Sequence, residues 1–473
     1  MNSSTWTRRQ AALAAPAQCT DYALALPDGA CRALARGWLW LALLALVGSG
    51  IFSVLLVLSR TPLLNQWLPV ADFFRVALVA HVDLSVLVWF IAIAGMLWSL
   101  NSASRSLASG WAALGLCGAG AALMALAPFL GQGEPVMANY IPVLDGPLFL
   151  GGLMLFGLGA AVLVLRSLWL APRLGVAFDG SGALRFGLNA SVVATAVALL
   201  AFAWSLAAVP QSLAGRAYYE IVFWGGGHAL QFTWTLLMLV AWLWLASASG
   251  AQLRLSPRIA LLMFALALAS VFVTPYAYLA YDIASVEHRN LLTWAMRFGG
   301  GLAILPISAV VLLGCIGAPA STPAARPLRA ALLSSVLLFA AGGLIGLVIQ
   351  GSNVRIPAHY HGCIVGVTLA LMGLVYHLLP QLGYAMPNPR LATLQPTLYG
   401  SGQLLHIVGL VWSGGYGVQR KVAGAEQVLR SPAEIAGMGL MGLGGLIAII
   451  GGLLFVLVIV QSMRRPVRRL APT

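Results

Sequence analysis

Lysine is almost missing from this 473-residue chain: it occurs once, at Lys421, and all charged residues together make up 8% of the sequence. A soluble domain of this length would carry about three times that share on its surface. Acids are also scarce, with 12 Asp and Glu against 26 Lys and Arg and a formal charge of +14. That excess would suit a nucleic-acid partner only if it formed a patch or stripe. The arginines are instead scattered through short connections, which excludes nucleic acid and points to membrane topology. Cysteine is sparse too: Cys19, Cys31, Cys117, Cys315 and Cys363 form no CxxC pair, no CxxCH haem-attachment motif and no zinc spacing. Any electrons must therefore arrive non-covalently or from another subunit.

Apolar residues dominate, at 60% of the chain, with a mean hydropathy of +0.92. The apolar runs are continuous and of spanning length, since roughly 20 residues cross the hydrocarbon core. The predicted fold is therefore all-α: a polytopic membrane protein in the lipid bilayer, built of helices rather than a barrel. Twelve spans are expected near 37–59, 76–100, 108–130, 144–166, 187–209, 218–247, 258–281, 294–316, 328–350, 358–383, 397–415 and 435–462. Residues 1–36 are too long and too polar ahead of the first run for an ordinary cleaved signal, so they form a retained tail. The expected organisation is a tail at 1–36, one membrane domain at 37–462 and a basic tail at 463–473.

An even number of spans puts both termini on one side. Most Lys and Arg residues fall there, so the positive-inside rule makes that side the cytoplasm. The acids run the other way. Asp21, Asp28 and Asp179 are cytoplasmic, whereas Asp72, Asp83, Glu134, Asp145, Glu220, Asp282, Glu287, Glu426 and Glu434 lie at or toward the outer face. No acid is left for the cytoplasmic half of any span.

Seven histidines remain to be placed. His81 enters the second expected span from its outer end, His228 the sixth, and His359 and His361 the tenth. An ionisable residue inside a span marks function by default, and four imidazoles sharing one depth favour a haem or metal cluster over scattered packing. A lone buried histidine would more simply bond across helices. His359 and His361 are two apart, so on a helix they point to nearly opposite sides and can hold different partners. His377 and His406 lack this context and read as structural. Gly225, Gly226 and Gly227 before His228, and Gly299, Gly300 and Gly301, allow a flat macrocycle or another backbone to come close; ordinary helix packing is an equal reading.

On these residues the chain resembles the catalytic subunit (subunit I) of the haem–copper oxidase superfamily, nearest the cbb3-type oxidase and nitric oxide reductase branches. Members have twelve core helices, with a His on the second, one on the sixth, usually an adjacent His pair at the end of the seventh, and His-x-His on the tenth. By position the resemblance implies that His81 and His361 hold a low-spin haem, His359 a high-spin haem, and His228 a second metal, either copper or non-haem iron. The haems would be b-type. Arg355, at the outer mouth of the tenth span, would neutralise haem propionates, with an interfacial anchor as the rival role. The family's tyrosine one turn beyond the sixth-helix histidine is replaced by Phe232. In the cbb3-type arrangement it comes from the seventh helix, which points to Tyr281.

The chain departs from the family in having no adjacent His pair. Its nearest substitutes are Glu287 and His288, with Asp282 close by; a solvated loop is the alternative for this stretch. A harder ligand set of His228, His288 and Glu287 or Asp282 shifts the second metal toward iron. The resemblance thus implies a membrane terminal reductase, preferentially of nitric oxide to nitrous oxide, with oxygen reduction as the alternative. His228, Tyr281 and Glu287 would be its catalytic residues. Asp83 and Glu220 are candidate proton-entry carboxylates. A periplasmic-side electron-donating subunit, cytochrome c or cupredoxin-like, would complete a complex in a bacterial cytoplasmic membrane. A haem carrier without catalysis, or a transporter, are remoter readings; a transporter would more often show broken helices and an inverted repeat.

Overall fold

The computed structural model describes residues 19–27, 29–58, 73–131, 133–171, 178–351, 353–418 and 431–466. Most of the N-terminal tail, the last residues of the basic C-terminal tail, Asp28, Asp72, Lys421 and Glu426 lie outside the described residues. Among those described, twelve long helices follow one another: α1 Ala30–Leu58, α2 Phe73–Leu100, α3 Leu107–Phe129, α4 Pro147–Trp169, α5 Gly180–Ala208, α6 Gly215–Ala248, α7 Pro257–Ala280, α8 Val286–Gly317, α9 Ala325–Leu347, α10 Arg355–Leu378, α11 Pro389–Gly415 and α12 Pro432–Arg464. The chain is an all-α, multi-pass membrane protein. Eleven of the described helices are long and apolar enough to cross a bilayer. The twelfth, α11, has 27 residues but carries Gln395, Gln403, His406 and Ser413, three of them buried, so its polarity is directed inward rather than to lipid.

Several helices start earlier than the apolar runs suggest, because capping residues rather than hydropathy set their ends. The first begins at Ala30, inside the expected 1–36 tail. Asn388 opens α11 by accepting from the amides of Arg390 and Leu391. Ser285 opens α8 by accepting from the His288 amide, and Glu287 adds negative charge to that first turn. Two helices are interrupted. Pro275 has no amide to give the Val271 carbonyl, and α7 breaks at Phe272. In α2, a π-helical turn over Asp83–Val88 begins two residues after His81.

The core forms around three helices. In α6, α10 and α2, 89%, 78% and 72% of the apolar window is buried within the protein, against 28–50% for the other spans. These three carry His81, His228, His359 and His361. The remaining helices wrap them, largely as antiparallel neighbours: α3 with α4, α5 with α6, α9 with α10 and α11 with α12. One feature departs from a purely helical chain. The α3–α4 connection holds a two-stranded antiparallel ribbon, β1 Glu134–Val136 against β2 Val143–Asp145, and its loop carries Asn139 and Tyr140 over the N-terminal end of α6.

Candidate functional site

His81 sits on α2 with Nδ1 3.0 Å from the Ser49 carbonyl and 3.0 Å from each of the Ser49 and Ser53 hydroxyls on α1. Since a carbonyl only accepts, Nδ1 carries the proton and Nε2 is left as a free lone pair. His359 is held the same way. Its Nδ1–H donates to the Gly342 carbonyl of α9 at 2.7 Å, and a methyl group at Gly346 would fall 2.8 Å from that nitrogen. Neither Nε2 has a hydrogen-bond partner among the described residues. Anchoring one ring nitrogen on a carbonyl while the other stays bare is the usual way a protein orients an iron- or metal-binding imidazole.

The two-residue spacing on α10 does what helix geometry requires. His359 turns toward α9, whereas His361 turns away from it and faces His81 on α2 and His406 on α11, with the His361 and His406 ring centroids 4.6 Å apart. His361 therefore meets His406, within electrostatic reach of His81, and His359 stands on the other side of the same helix. Arg355 is the first residue of α10, packed against Gly414 and Gly415 of α11, and its Nε is buried without a partner among the described residues. An orphaned guanidinium donor in that position fits an anionic group.

His228 is buried in α6, and both of its nitrogens are engaged. Nδ1–H donates to the Trp224 carbonyl at 2.7 Å, and Nε2 accepts from the Tyr140 hydroxyl at 3.0 Å. Burial pushes the Tyr140 phenol above its ordinary range, and the neighbouring Tyr360 and Glu220 push it the same way, so it stays protonated and donates. Glu220, two turns before His228 on α6, accepts from the Asn139 amide at 2.9 Å and pairs with Arg216 at 3.5 Å. The three glycines before His228 make room for side chains rather than for a macrocycle. A methyl at Gly225, Gly226 or Gly227 would overlap the rings of Tyr278, Phe202 and Tyr140 respectively. Gly299 likewise packs against Ser270 of α7.

The end of α7 corrects several expectations. Asp282 is exposed and caps a local turn by accepting from the Ala284 amide at 2.8 Å. Glu287 is exposed, and Tyr281, in extended backbone past the end of α7, is 38% exposed. Glu287 and His288 lie neither in a loop nor on the seventh helix; they form the first turn of α8. Successive helical residues point about 100° apart, so only His288 turns inward. It is buried with both ring nitrogens unpartnered, edge-on to Tyr278 at 4.7 Å. Tyr278, not Tyr281, is the buried tyrosine here, its hydroxyl 2.6 Å from Ser205.

The residues present fit haem. His81, His361 and His359 offer imidazoles from the buried helices, and Arg355 offers a buried donor. They do not fit the expected second metal. Among the described residues no three His, Cys, Asp or Glu side chains form a group able to hold a metal ion. His228 is committed on both nitrogens, Asp282 and Glu287 face outward, and His288 alone is free. Tyr140, Tyr278, Gln403 and His406 surround these histidines, and sequence reasoning does not reach them as site residues. Only the polar stripe Gln395, Gln403 and His406 on an otherwise apolar segment could signal two of them.

Comparison with known proteins agrees with this architecture. The family model for cytochrome c and quinol oxidase polypeptide I matches residues 33–454. An uncharacterized protein of Rickettsia prowazekii (strain Madrid E) is 28% identical over 499 residues, covering 91% of this chain and 96% of that protein. One from Aquifex aeolicus (strain VF5) is 29% identical over 350 residues, covering 73% and 85%. A haem–copper terminal oxidase solved as a dimer by cryo-electron microscopy superposes with a TM-score of 0.69 at 18% identity, covering 94% of this chain and 86% of its own, a likeness of fold. Membership of the family implies haems and a copper or iron centre. With its matched span covering nearly the whole helical bundle, the chain belongs to the cytochrome c and quinol oxidase polypeptide I family, an oxidoreductase of the haem–copper superfamily.

Proposed function

We propose that this chain is the haem-bearing catalytic subunit of a membrane terminal reductase, and that its preferred substrate is nitric oxide. His81 and His361 would hold a low-spin haem and His359 a high-spin haem, both b-type, with Arg355 set against a propionate. Bound there, the haems supply electron transfer and an open iron position for a diatomic molecule. The observation that carries this reading is the shared orientation of His81 and His359, each locked through Nδ1 with Nε2 bare.

The overall reaction would be 2 NO + 2 electrons + 2 protons giving N2O and H2O. One feature favours it over oxygen reduction: protons have an outer entry. Glu220 lies beside Asn139, next in sequence to Tyr140, while no Asp, Glu or Lys occupies the inner half of a described span. Tyr140 holds its phenol proton toward His228, where it can be given up to a reacting molecule. Electrons would come from a periplasmic-side cytochrome c or cupredoxin-like subunit, in a bacterial cytoplasmic membrane with both termini cytoplasmic, as the arginine distribution supports.

Oxygen reduction is the second reading, favoured by the Tyr140 hydroxyl itself, since a phenol at the site can give an electron as well as a proton. Consumption of NO and of oxygen by the purified protein with an artificial donor, alongside metal analysis, separates them. Robust oxygen turnover with bound copper and no NO consumption would reverse the preference.

A further inference from the structure

His361 is held differently from the other imidazoles proposed to serve haem. His81 and His359 each tie Nδ1–H to a backbone carbonyl, whereas among the described residues His361 meets side chains of α11. Gln403 lies beside it, and the Gln403 carbonyl oxygen Oε1 is buried with no hydrogen-bond partner among the described residues. His406 is three residues further along and so on the same face of α11, its ring 4.6 Å from that of His361 and inclined at 54°. The His406 Nδ1–H donates to the Met441 carbonyl of α12 at 2.9 Å.

That last bond fixes the tautomer. With the proton on Nδ1, the His406 Nε2 is a bare acceptor, and it has no hydrogen-bond partner among the described residues. The neighbouring helix is shaped around it. A methyl at Gly444 would overlap the His406 backbone, and one at Gly445 would lie 3.3 Å from His406 Nδ1. Two free acceptors, Gln403 Oε1 and His406 Nε2, thus sit on the face of α11 that meets the His361 ring.

We propose that His406, seconded by Gln403, is the positioning residue of His361: it accepts the His361 N–H and so sets how strongly that imidazole donates to the haem iron. The inference rests on the reading of His361 as an axial ligand. An imidazole whose N–H is given to an acceptor is the stronger electron donor, which stabilises the oxidised iron and lowers the haem potential. A backbone carbonyl on His81 and an imidazole or amide on His361 would make the two sides of one haem unequal. It would also give the buried polar residues of α11 a role.

The test uses the purified full chain with its bound haem, as wild type, His406→Leu, His406→Gln and Gln403→Leu. The midpoint potential of the low-spin haem is followed by redox titration, and its axial ligation by electron paramagnetic resonance. His406→Leu is expected to raise the potential with haem content unchanged. His406→Gln, whose amide oxygen can accept the same proton, should return it toward wild type, and Gln403→Leu should give a smaller rise. If His406→Leu does not fold, Gly445→Ala, which crowds the His406 ring alone, should shift the potential in the same direction. A bis-histidine haem whose potential and resonance are unmoved by these changes would overturn the proposal. A low-spin haem that survives His361→Leu would instead overturn the reading beneath it.

Discussion

The Tyr140 hydroxyl stands 3.0 Å from Nε2 of His228, although the two residues are 88 positions apart and on different elements. The short ribbon between α3 and α4 makes this contact, and it fills the nitrogen through which His228 would otherwise bind a metal. The contact depends on Gly227, where any side chain would collide with the Tyr140 ring. Gly227→Ala should therefore lower stability by roughly 1–3 kcal/mol, as overpacking of a filled site does. Thermal unfolding in detergent measures it, and an unchanged midpoint would mean that Tyr140 is not seated there.

If Tyr140 delivers a proton, Tyr140→Phe should cut turnover on the order of 10²-fold, the usual contribution of a placed acid. Haem content and the reduced spectrum should stay as in the wild type. A variant with full turnover would show the hydroxyl to be a packing partner of His228 only.

The exposed residues at the α7–α8 turn should be dispensable. Asp282→Asn, Glu287→Gln and Tyr281→Phe are expected to change stability by less than about 0.5 kcal/mol, as surface substitutions do. Their metal content and turnover should match the wild type. Loss of a bound metal in Asp282→Asn or Glu287→Gln would restore the ligand set that the sequence suggests.

Metal analysis bears on the same point. If Tyr140 still fills His228 Nε2 once haem is bound, iron should account for the haem alone, with no stoichiometric copper and no additional iron. One copper or one extra iron per chain would mean that His228 exchanges Tyr140 for a metal in the loaded protein.

Much of the fold, and the histidine frame of the site, is legible in the sequence. The depth of His81, His228, His359 and His361 follows from the hydropathy of the runs that contain them, and the divergent directions of His359 and His361 follow from a helical step of about 100°. The rest depends on contacts between residues far apart in the chain. Tyr140 is an ordinary loop tyrosine until the ribbon folds it onto α6. Tyr278 and Tyr281 are three residues apart, and only the end of α7 after Ala280 decides which is buried. His406 reads as structural because hydropathy ranks α11 by its average and not by the face on which its polar residues lie. The start of α8 is readable from the Ser285 cap, but a capping signal beside a weakly apolar segment is easily outweighed by the stronger run that begins later.

The most direct test of the account is the optical spectrum of the purified, reduced chain with and without carbon monoxide, in the wild type and in His81→Leu, His361→Leu and His359→Leu. Two haems are expected, one of which binds carbon monoxide. His81→Leu and His361→Leu should remove the low-spin signal, and His359→Leu the carbon monoxide response. A protein without a Soret band, or with a single low-spin haem indifferent to carbon monoxide, would contradict it.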